Sequence, residues 1–288
     1  MCRLFALHAG QHDVAAEFWL LQAPDSLAKQ SEVNADGFGI AAFTSADAML
    51  LVRNPVRAAT DAIYTTVSQK AQANQFVAHL RYMSTGEVSL RNTHPFVQDN
   101  RIFAHNGVLG DLPKLEQRLG DGMSMVGGDT DSERYFALIT LAIRDAGGDV
   151  RAGIKAAVTE LVEGYELYAI NFLLAEPGHL WAFRYPEKNT LMLLEKAVGG
   201  EPLVEDGPSG TLHLHTNETL DHPVVIVASE KMDAEPGWEP IESGELVHIG
   251  PDMSIDREII VTGPPKHQMV LQAHEAASQS FERDTTAA

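Results

Sequence analysis

Residues 1–10 read MCRLFALHAG and place the only cysteine of the 288-residue chain, Cys2, directly behind Met1. The run from Arg3 to Ala9 is typical of a short strand. If Met1 is removed, Cys2 carries an α-amine beside its thiol, with reference pKa values of about 7.7–8.0 and about 8.5. One group could then take the proton of the other near neutral pH, so nucleophile and base would come from a single residue. The alternative is a buried apolar cysteine at the start of a strand.

Composition narrows the classes of function that remain. The 21 Lys+Arg and 40 Asp+Glu residues give a formal charge of -19, which repels phosphate backbones and anionic lipids, so we expect neither a nucleic-acid nor a membrane partner. No apolar run has the length that a bilayer requires. The segment after Arg3 lacks the apolar region of a secretory signal, so we expect a cytoplasmic location. One cysteine excludes an internal disulfide.

The apolar pattern predicts an α+β fold, because many antiparallel strands surround grouped helices. The first half has predicted strands at 3–9, 38–43, 48–54, 75–82 and 101–107, and predicted helices at 14–23, 59–70, 131–144 and 150–162. The second half has predicted strands at 165–176, 179–185, 190–196, 223–230, 245–250 and 258–263. Apolar spacing weakens near the end, so we predict a single domain over 2–266 and a frayed tail over 267–288.

The stretch FAHNGVLG ends a predicted strand on Asn106 and Gly107. A side-chain amide and an adjacent glycine N–H at that place can direct two donors at a developing oxyanion, as acyl transfer requires. The alternative is a hairpin turn, because Asn-Gly is the strongest short turn dipeptide.

The stretch GGDTDSERYFALI predicts the start of a helix, since Thr130 and Glu133 have the spacing of a capping box. Asp131 then lies in the first helical turn, where the helix dipole keeps its carboxylate ionised. Such a carboxylate could hold a substrate ammonium, or it could only stabilise the helix.

The stretch HLRYMSTGEVSLRNTHPF begins at His79 and contains Arg81 after an apolar strand. The planar guanidinium suits a bidentate pair with a substrate carboxylate, although surface salt bridges are its commoner role. His94 is a candidate base, or a histidine that satisfies backbone groups before a proline.

Together these stretches resemble one family. Cys2, NADGFGIA from Asn34, HLRYMSTGEVSLRNTHPF, AHNG from Ala104 and GDTDSE from Gly128 occur in the order typical of class II glutamine amidotransferases, which are N-terminal-nucleophile hydrolases. The chain is most similar to the stand-alone branch that includes predicted bacterial glutamine amidotransferases and the γ-glutamyl hydrolase of ergothioneine synthesis. The resemblance implies a four-layer αββα sandwich. It also implies that Cys2 is the nucleophile with its own amine as base, and that Asn106 and the backbone of Gly107 form the oxyanion hole.

The same resemblance implies that Arg81 binds the α-carboxylate of a glutamine-like substrate, that Asp131 binds its α-ammonium, and that Ser84 adds a hydrogen bond to the carboxylate. The expected reaction cleaves the γ-amide of glutamine through a γ-glutamyl thioester and needs no metal or organic cofactor. The expected partners are glutamine or another γ-glutamyl amide, and a separate synthase subunit that accepts ammonia.

Several alternatives stay open. Relatives of this branch often have His where Asn34 stands and Trp where Phe38 stands, which affects the expected substrate preference more than the chemistry. A free-standing hydrolase of another γ-glutamyl amide and a non-catalytic binding protein of the same fold are alternatives. A metallohydrolase using His213 and His215 is another, because strand alternation places both side chains on one face.

Overall fold

The computed structural model describes residues 2–82, 87–198, 204–206, 213–215 and 222–271. Two large antiparallel sheets lie face to face, and helices cover both outer faces. This is the four-layer αββα sandwich, so the predicted fold class is confirmed. The boundary placed at residue 266 stays a prediction. Within the predicted tail, His267 and Met269 form backbone hydrogen bonds with Leu167.

Strands outnumber α-helices in the described part of the chain. The first nine strands are β1 (Arg3–His8), β2 (Val14–Ala15), β3 (Phe38–Phe43), β4 (Met49–Asn54), β5 (Gln72–Ala73), β6 (Gln75–Leu80), β7 (Phe96–Gln98), β8 (Arg101–Leu109) and β9 (Leu167–Glu176). The later strands are β10 (His179–Arg184), β11 (Met192–Lys196), β12 (Val204–Asp206), β13 (His213–His215), β14 (Val224–Ala228), β15 (Glu239–Pro240), β16 (Glu245–Ile249) and β17 (Ile255–Ile259). The α-helices are α1 (Leu27–Gln30), α2 (Ala62–Lys70), α3 (Leu112–Leu119), α4 (Asp131–Asp145) and α5 (Val150–Gly164).

Strand order places β1 in the middle of the first sheet, which runs β15-β11-β14-β1-β6-β3-β4 among the described residues. The second sheet runs β17-β16-β10-β9-β8-β7. The N-terminal strand β1 pairs with β14 on one side and with β6 on the other, and Arg3 lies opposite Leu80. The start of β1 therefore lies beside the end of β6, which brings Cys2 next to the residues that follow Leu80.

Three apolar clusters correspond to the three interfaces between the four layers. The side chains of β1, β3 and β6 point alternately to the two faces of the first sheet. In β6, Phe76 and Leu80 face the helices, while Val77 faces the other sheet. Apolar residues of β8 and β9 pack against α4 and α5 on the far side. Burial of these faces supplies the main driving force of folding, at about 25 cal/mol per Å² of apolar surface.

The structure corrects the bounds of two predicted elements. The helix predicted over 14–23 is wrong at its start, because Val14–Ala15 pairs with Gln72–Ala73 as β2 and β5, and a π-helix covers only Phe18–Gln22. The strand predicted over 258–263 lies at Ile255–Ile259 instead. In the described part of the chain, no helix has the length and apolar character needed to span a membrane.

Candidate active site

The thiol of Cys2 lies against the backbone that follows β6. Its Sγ accepts the N–H of Tyr82 at 3.3 Å and lies 3.4 Å from the carbonyl oxygen of the same residue. Cys2 is half-buried. Burial raises the pKa of the thiol, while the Tyr82 N–H and the guanidinium groups of Arg81 and Arg3 act in the opposite direction. The thiol is therefore neutral near pH 7 and needs a base to become a nucleophile.

Arg81 immediately follows β6 and is only 4% exposed. Its backbone N–H donates to the Gly37 carbonyl at 2.8 Å, its carbonyl accepts from the Asp36 N–H at 3.1 Å, and its Nη1 donates to the Glu87 carbonyl at 2.8 Å. Burial lowers the pKa of Arg81, while Cys2, Asp36 and Asp131 raise it. The guanidinium is thus held in place on the same side of the fold as the thiol and two carboxylates.

Asp131 begins α4 and is 3% exposed. The predicted cap is confirmed in part, because Thr130 Oγ1 accepts the Glu133 N–H at 3.3 Å, whereas the Glu133 carboxylate accepts from the Gly128 N–H at 2.7 Å. Asp131 Oδ2 accepts the backbone N–H of Leu109, at the end of β8, at 2.8 Å. This bond joins the start of α4 to β8. The carboxylate lies in the first turn of the helix, where the helix dipole favours its charge.

Asn106 and Gly107 lie inside β8, opposite Asn171 and Ile170 of β9, so the hairpin-turn alternative is wrong. Asn106 is fully buried, and its Oδ1 accepts from Asn189 Nδ2 at 3.4 Å. Its Nδ2 has no hydrogen-bond partner among the described residues. A buried donor without a partner costs about 1–3 kcal/mol, so it calls for an explanation such as a catalytic role.

Gly107 occupies a position that excludes any larger residue. A Cβ built there would lie 1.8 Å from the carbonyl oxygen of Ala169. Opposite Gly107, Ile170 donates its N–H to the Tyr185 carbonyl on the far side of β9, at 2.8 Å. The N–H and C=O of one strand residue point to the same neighbouring strand, so Ile170 directs both groups away from β8. Gly107 and Ile170 are therefore a non-hydrogen-bonded pair, and the Gly107 N–H points away from β9.

Three buried histidines, His79, His94 and His105, lie near these residues and were not identified from the sequence as a group. His79 and His94 stack at a centroid distance of 4.2 Å, and their ring nitrogens have no hydrogen-bond partner among the described residues. Burial lowers the pKa of His79 to about 3 and that of His94 well below its ordinary value, and the His79 ring lowers the pKa of His94 further. His94 is therefore a poor candidate for a catalytic base, since its imidazole resists protonation.

Other predicted residues have different outcomes. Ser84 lies outside the described residues. Asn34 donates its side-chain amide to the Gln30 carbonyl at 3.0 Å, and Phe38 packs edge-on against Tyr64 in the core beneath the helices. The side chain of Phe38 therefore belongs to the apolar cluster between the first sheet and the helices that cover it.

The metal alternative gains no support from the residues that can be described. His213 and His215 belong to β13, which pairs with β12, and their side chains lie outside the description. Among the described residues, no group of three or more His, Cys, Asp or Glu side chains could hold a metal ion. Asn189, which the sequence did not single out, is completely buried; its carbonyl accepts from Asn171 and its Nδ2 donates to Asn106 Oδ1.

Comparisons with known proteins agree with this arrangement. The family model of the class II glutamine amidotransferases matches residues 1–268. A probable glutamine amidotransferase of Saccharomyces cerevisiae is 26% identical over 300 residues, covering 86% of this chain and 82% of that protein.

Solved structures share the fold at low sequence identity. A glutamine aminotransferase class-II domain protein from Silicibacter pomeroyi has a TM-score of 0.58 at 17% identity, covering 91% of this chain and 100% of its own. The glutamine phosphoribosylpyrophosphate amidotransferase of B. subtilis has a TM-score of 0.65 at 18% identity. The match covers 91% of this chain and half of that enzyme.

Proposed function

The chain belongs to the class II glutamine amidotransferases, and on that premise we propose that it hydrolyses the γ-amide of glutamine to glutamate and ammonia through a thioester on Cys2. One observation carries the proposal most directly. Cys2 Sγ accepts the N–H of Tyr82, the residue that directly follows Arg81, and the carboxylate of Asp131 raises the pKa of the buried Arg81 guanidinium, so the thiol and two opposite charges share one site. A zwitterionic amino-acid head requires one fixed cation and one fixed anion.

Arg81 and Asp131 are the proposed holders of the substrate head. The guanidinium pairs with the α-carboxylate; bonds to Gly37 and Asp36 fix the backbone of Arg81, and the bond from Nη1 to the Glu87 carbonyl orients the guanidinium. The carboxylate of Asp131 receives the α-ammonium while its Oδ2 stays bonded to the Leu109 N–H. Both side chains are buried, so each charge interacts more strongly with its counterpart than it would in water.

The nucleophile is the proposed role of Cys2, once Met1 has been removed. The neutral thiol passes its proton to the α-amine of the same residue, which has a reference pKa of about 7.7–8.0. The buried imidazole of His94 has a pKa well below its ordinary value, which disfavours it as the base. A processed N-terminus is therefore a requirement of the mechanism.

The oxyanion hole is the proposed role of Asn106 and Gly107. Asn106 Nδ2 is a buried donor without a partner among the described residues, and its amide is oriented by the bond from Asn189. The N–H of Gly107 is directed away from β9 by the register of the ladder. Two such donors stabilise a developing oxyanion without reorganisation, and one of them is typically worth about 10²–10³-fold in kcat.

The atoms balance in two steps. In the first, a bond forms between Sγ and the γ-carbon, and the thiol proton moves through the α-amine to the leaving nitrogen. The C–N bond then breaks, which releases ammonia and leaves a γ-glutamyl thioester. In the second, water adds to the thioester carbon with the amine as base, the C–S bond breaks, and glutamate and the free thiol result.

Glutamate and ammonia release from glutamine tests the proposal. Processed wild-type protein should release both products in equal amounts, and Cys2→Ala should release neither. Asp131→Asn should raise the KM for glutamine by about tenfold or more, because it removes one ion pair with the substrate. Wild-type protein with a free Cys2 amine that releases no glutamate would contradict the proposal.

A larger γ-glutamyl amide is a second candidate substrate. The structure has a cleft of about 600 Å³ whose walls include Lys188, next to Asn189 in the chain, and Gln268, whose Nε2 donates to the Leu167 carbonyl; none of the proposed site residues that the structure describes lines it. If a larger amide is the natural substrate, γ-glutamyl amides of amino acids should have a higher kcat/KM than glutamine. If ammonia is instead passed to a separate synthase subunit, glutaminase activity should be weak alone and rise when that subunit is added.

A further inference from the structure

We propose that His105 and Ser132 form a directed hydrogen-bond relay that orients the carboxylate of Asp131, and so set the selectivity of the site for substrates with an α-ammonium group. The inference rests on the proposed function, because it assigns positioning roles around the proposed ammonium-binding residue. Neither residue was a sequence-based candidate, and neither is expected to touch the substrate.

The contacts form one chain of three buried side chains. His105 Nδ1 lies 2.8 Å from Ser132 Oγ, and Ser132 Oγ lies 3.3 Å from Asp131 Oδ1. His105, Ser132 and Asp131 are 1%, 5% and 3% exposed. Water therefore has little access to compete for these bonds, and their geometry is set by β8 and α4.

The chemistry of the three groups gives the relay a direction. An ionised carboxylate only accepts hydrogen bonds, so the hydroxyl of Ser132 must donate its single proton to Asp131. The contact between Ser132 and His105 must then use a proton on His105 Nδ1. Burial lowers the pKa of His105, although Asp131 and the Ala169 carbonyl act against this, so the ring is neutral and carries one proton. The bond to Ser132 places that proton on Nδ1, and His105 Nε2 makes no hydrogen bond of good geometry among the described residues.

The relay completes the fixation of the carboxylate. Asp131 Oδ2 accepts from the Leu109 N–H at 2.8 Å, and Oδ1 accepts from Ser132 Oγ at 3.3 Å. Two bonds to different oxygens fix the plane of the group. A carboxylate offers about four acceptor positions, and these bonds occupy two of them. A free-turning carboxylate would bind the same ammonium with a greater loss of side-chain entropy.

Strand alternation explains why one segment serves two purposes. His105 and Asn106 are neighbours in β8, so their side chains leave on opposite faces of the sheet. His105 faces α4, where its ring meets Tyr135 edge-on at 5.5 Å, while Asn106 bonds to Asn189. The same strand thus supplies the oxyanion donor and the support of the proposed ammonium site.

Selectivity between glutamine and glutaramate, its analogue without the α-amino group, tests the relay. Wild-type protein should favour glutamine in kcat/KM. Ser132→Ala should lower that selectivity by about tenfold through a higher KM for glutamine, since a hydrogen bond to a charged group is lost. Its kcat and its kinetics with glutaramate should change by less than about twofold, and Ser132→Thr should restore the selectivity. Ser124→Ala is the matched control, because Ser124 is exposed and its hydroxyl bonds only the Asp121 carbonyl among the described residues.

A pair of variants at the histidine tests the direction independently. His105→Asn keeps a donor near the Nδ1 position and should retain selectivity, whereas His105→Gln places its amide near the Nε2 position and should lose it. An equal loss of activity on both substrates in Ser132→Ala and His105→Gln would overturn the relay and indicate a purely structural role. Unchanged selectivity in both variants would also overturn it. Wild-type protein that cleaves neither substrate would overturn the proposed function, and the relay with it.

Discussion

The buried imidazole of His79 should make the protein lose stability as the pH falls from 7.5 to 5.5. His79 is completely buried between the sheets, and neither ring nitrogen makes a hydrogen bond of good geometry among the described residues. Burial, with smaller contributions from Arg81 and the His105 ring, lowers its pKa from 6.5 to about 3, against the weaker opposing effect of the His105 backbone. The unfolded chain therefore takes up a proton in this pH range and the native protein does not. A depressed histidine pKa thus removes stability on acidification.

The size of the effect follows from the two pKa values. At pH 5.5 the unfolded state gains about 1.4 kcal/mol from protonating this histidine, and at pH 7.5 it gains less than about 0.1 kcal/mol. The native state gains almost nothing at either pH. His79→Phe removes this titrating group and keeps an aromatic ring against His94. Between pH 7.5 and pH 5.5, the free energy of unfolding of the variant should therefore fall by about 1.4 kcal/mol less than that of the wild type. His94 remains in both proteins, and its burial, which is the largest cause of its low pKa, is kept in the variant.

Urea denaturation at pH 7.5 and 5.5 measures the difference, with both values above the isoelectric point of about 4.9. The substitution changes stability at every pH through packing, so only the change with pH is compared. His12→Gln, at an exposed position, should follow the wild type. Equal pH dependence of wild type and His79→Phe would refute the assignment of His79 as a buried neutral group.

The remaining predictions concern the proposed chemistry. Asn106→Ala should lower kcat for glutamine by about 10²–10³-fold with little change in KM; a change in KM alone would contradict the oxyanion role. Gly107→Ala should lower the free energy of unfolding, measured by urea denaturation, by more than about 3 kcal/mol, because its Cβ would lie 1.8 Å from the Ala169 carbonyl oxygen. Gly164→Ala should be tolerated, because the nearest atom to its Cβ lies at 3.7 Å. In substrate-free protein, the alkylation rate of Cys2 by iodoacetamide should still rise at pH 9.0, because burial raises the thiol pKa above that value; a plateau near pH 7 would show an already activated thiolate.

Regular periodicity made much of the fold predictable. The helix starting at Asp131 was predictable from its cap, and the hairpin of β3 and β4 from two apolar runs around a polar turn. The helix predicted from Val14 is wrong at its start because residues 14–15 pair with a strand far along the chain, and tertiary pairing overrides local spacing. Helix α3 was missed, since Pro113 discourages a helical assignment although proline is tolerated in the first turn.

The candidate site was predictable only where residue chemistry is distinctive. Cys2, Arg81 and Asp131 carry thiol, cation and anion; Cys2 Sγ accepts the N–H of the residue after Arg81, and Asp131 raises the pKa of the Arg81 guanidinium. Asn189 gave no signal, because nothing in its loop sequence marks a buried asparagine that bonds to Asn106. The relay from His105 also required the structure, since Ser132 meets that ring only when α4 packs on β8.

Intact mass spectrometry of the protein, before and after treatment with 6-diazo-5-oxo-L-norleucine, tests the central claim most directly. This reagent resembles glutamine and alkylates a nucleophile that recognises a γ-glutamyl head. The account predicts a mass without Met1 and a single adduct located on Cys2 by peptide mapping, which is absent in Cys2→Ser and prevented by excess glutamine. A processed protein that carries no adduct, or one whose adduct lies on another residue, would contradict the account.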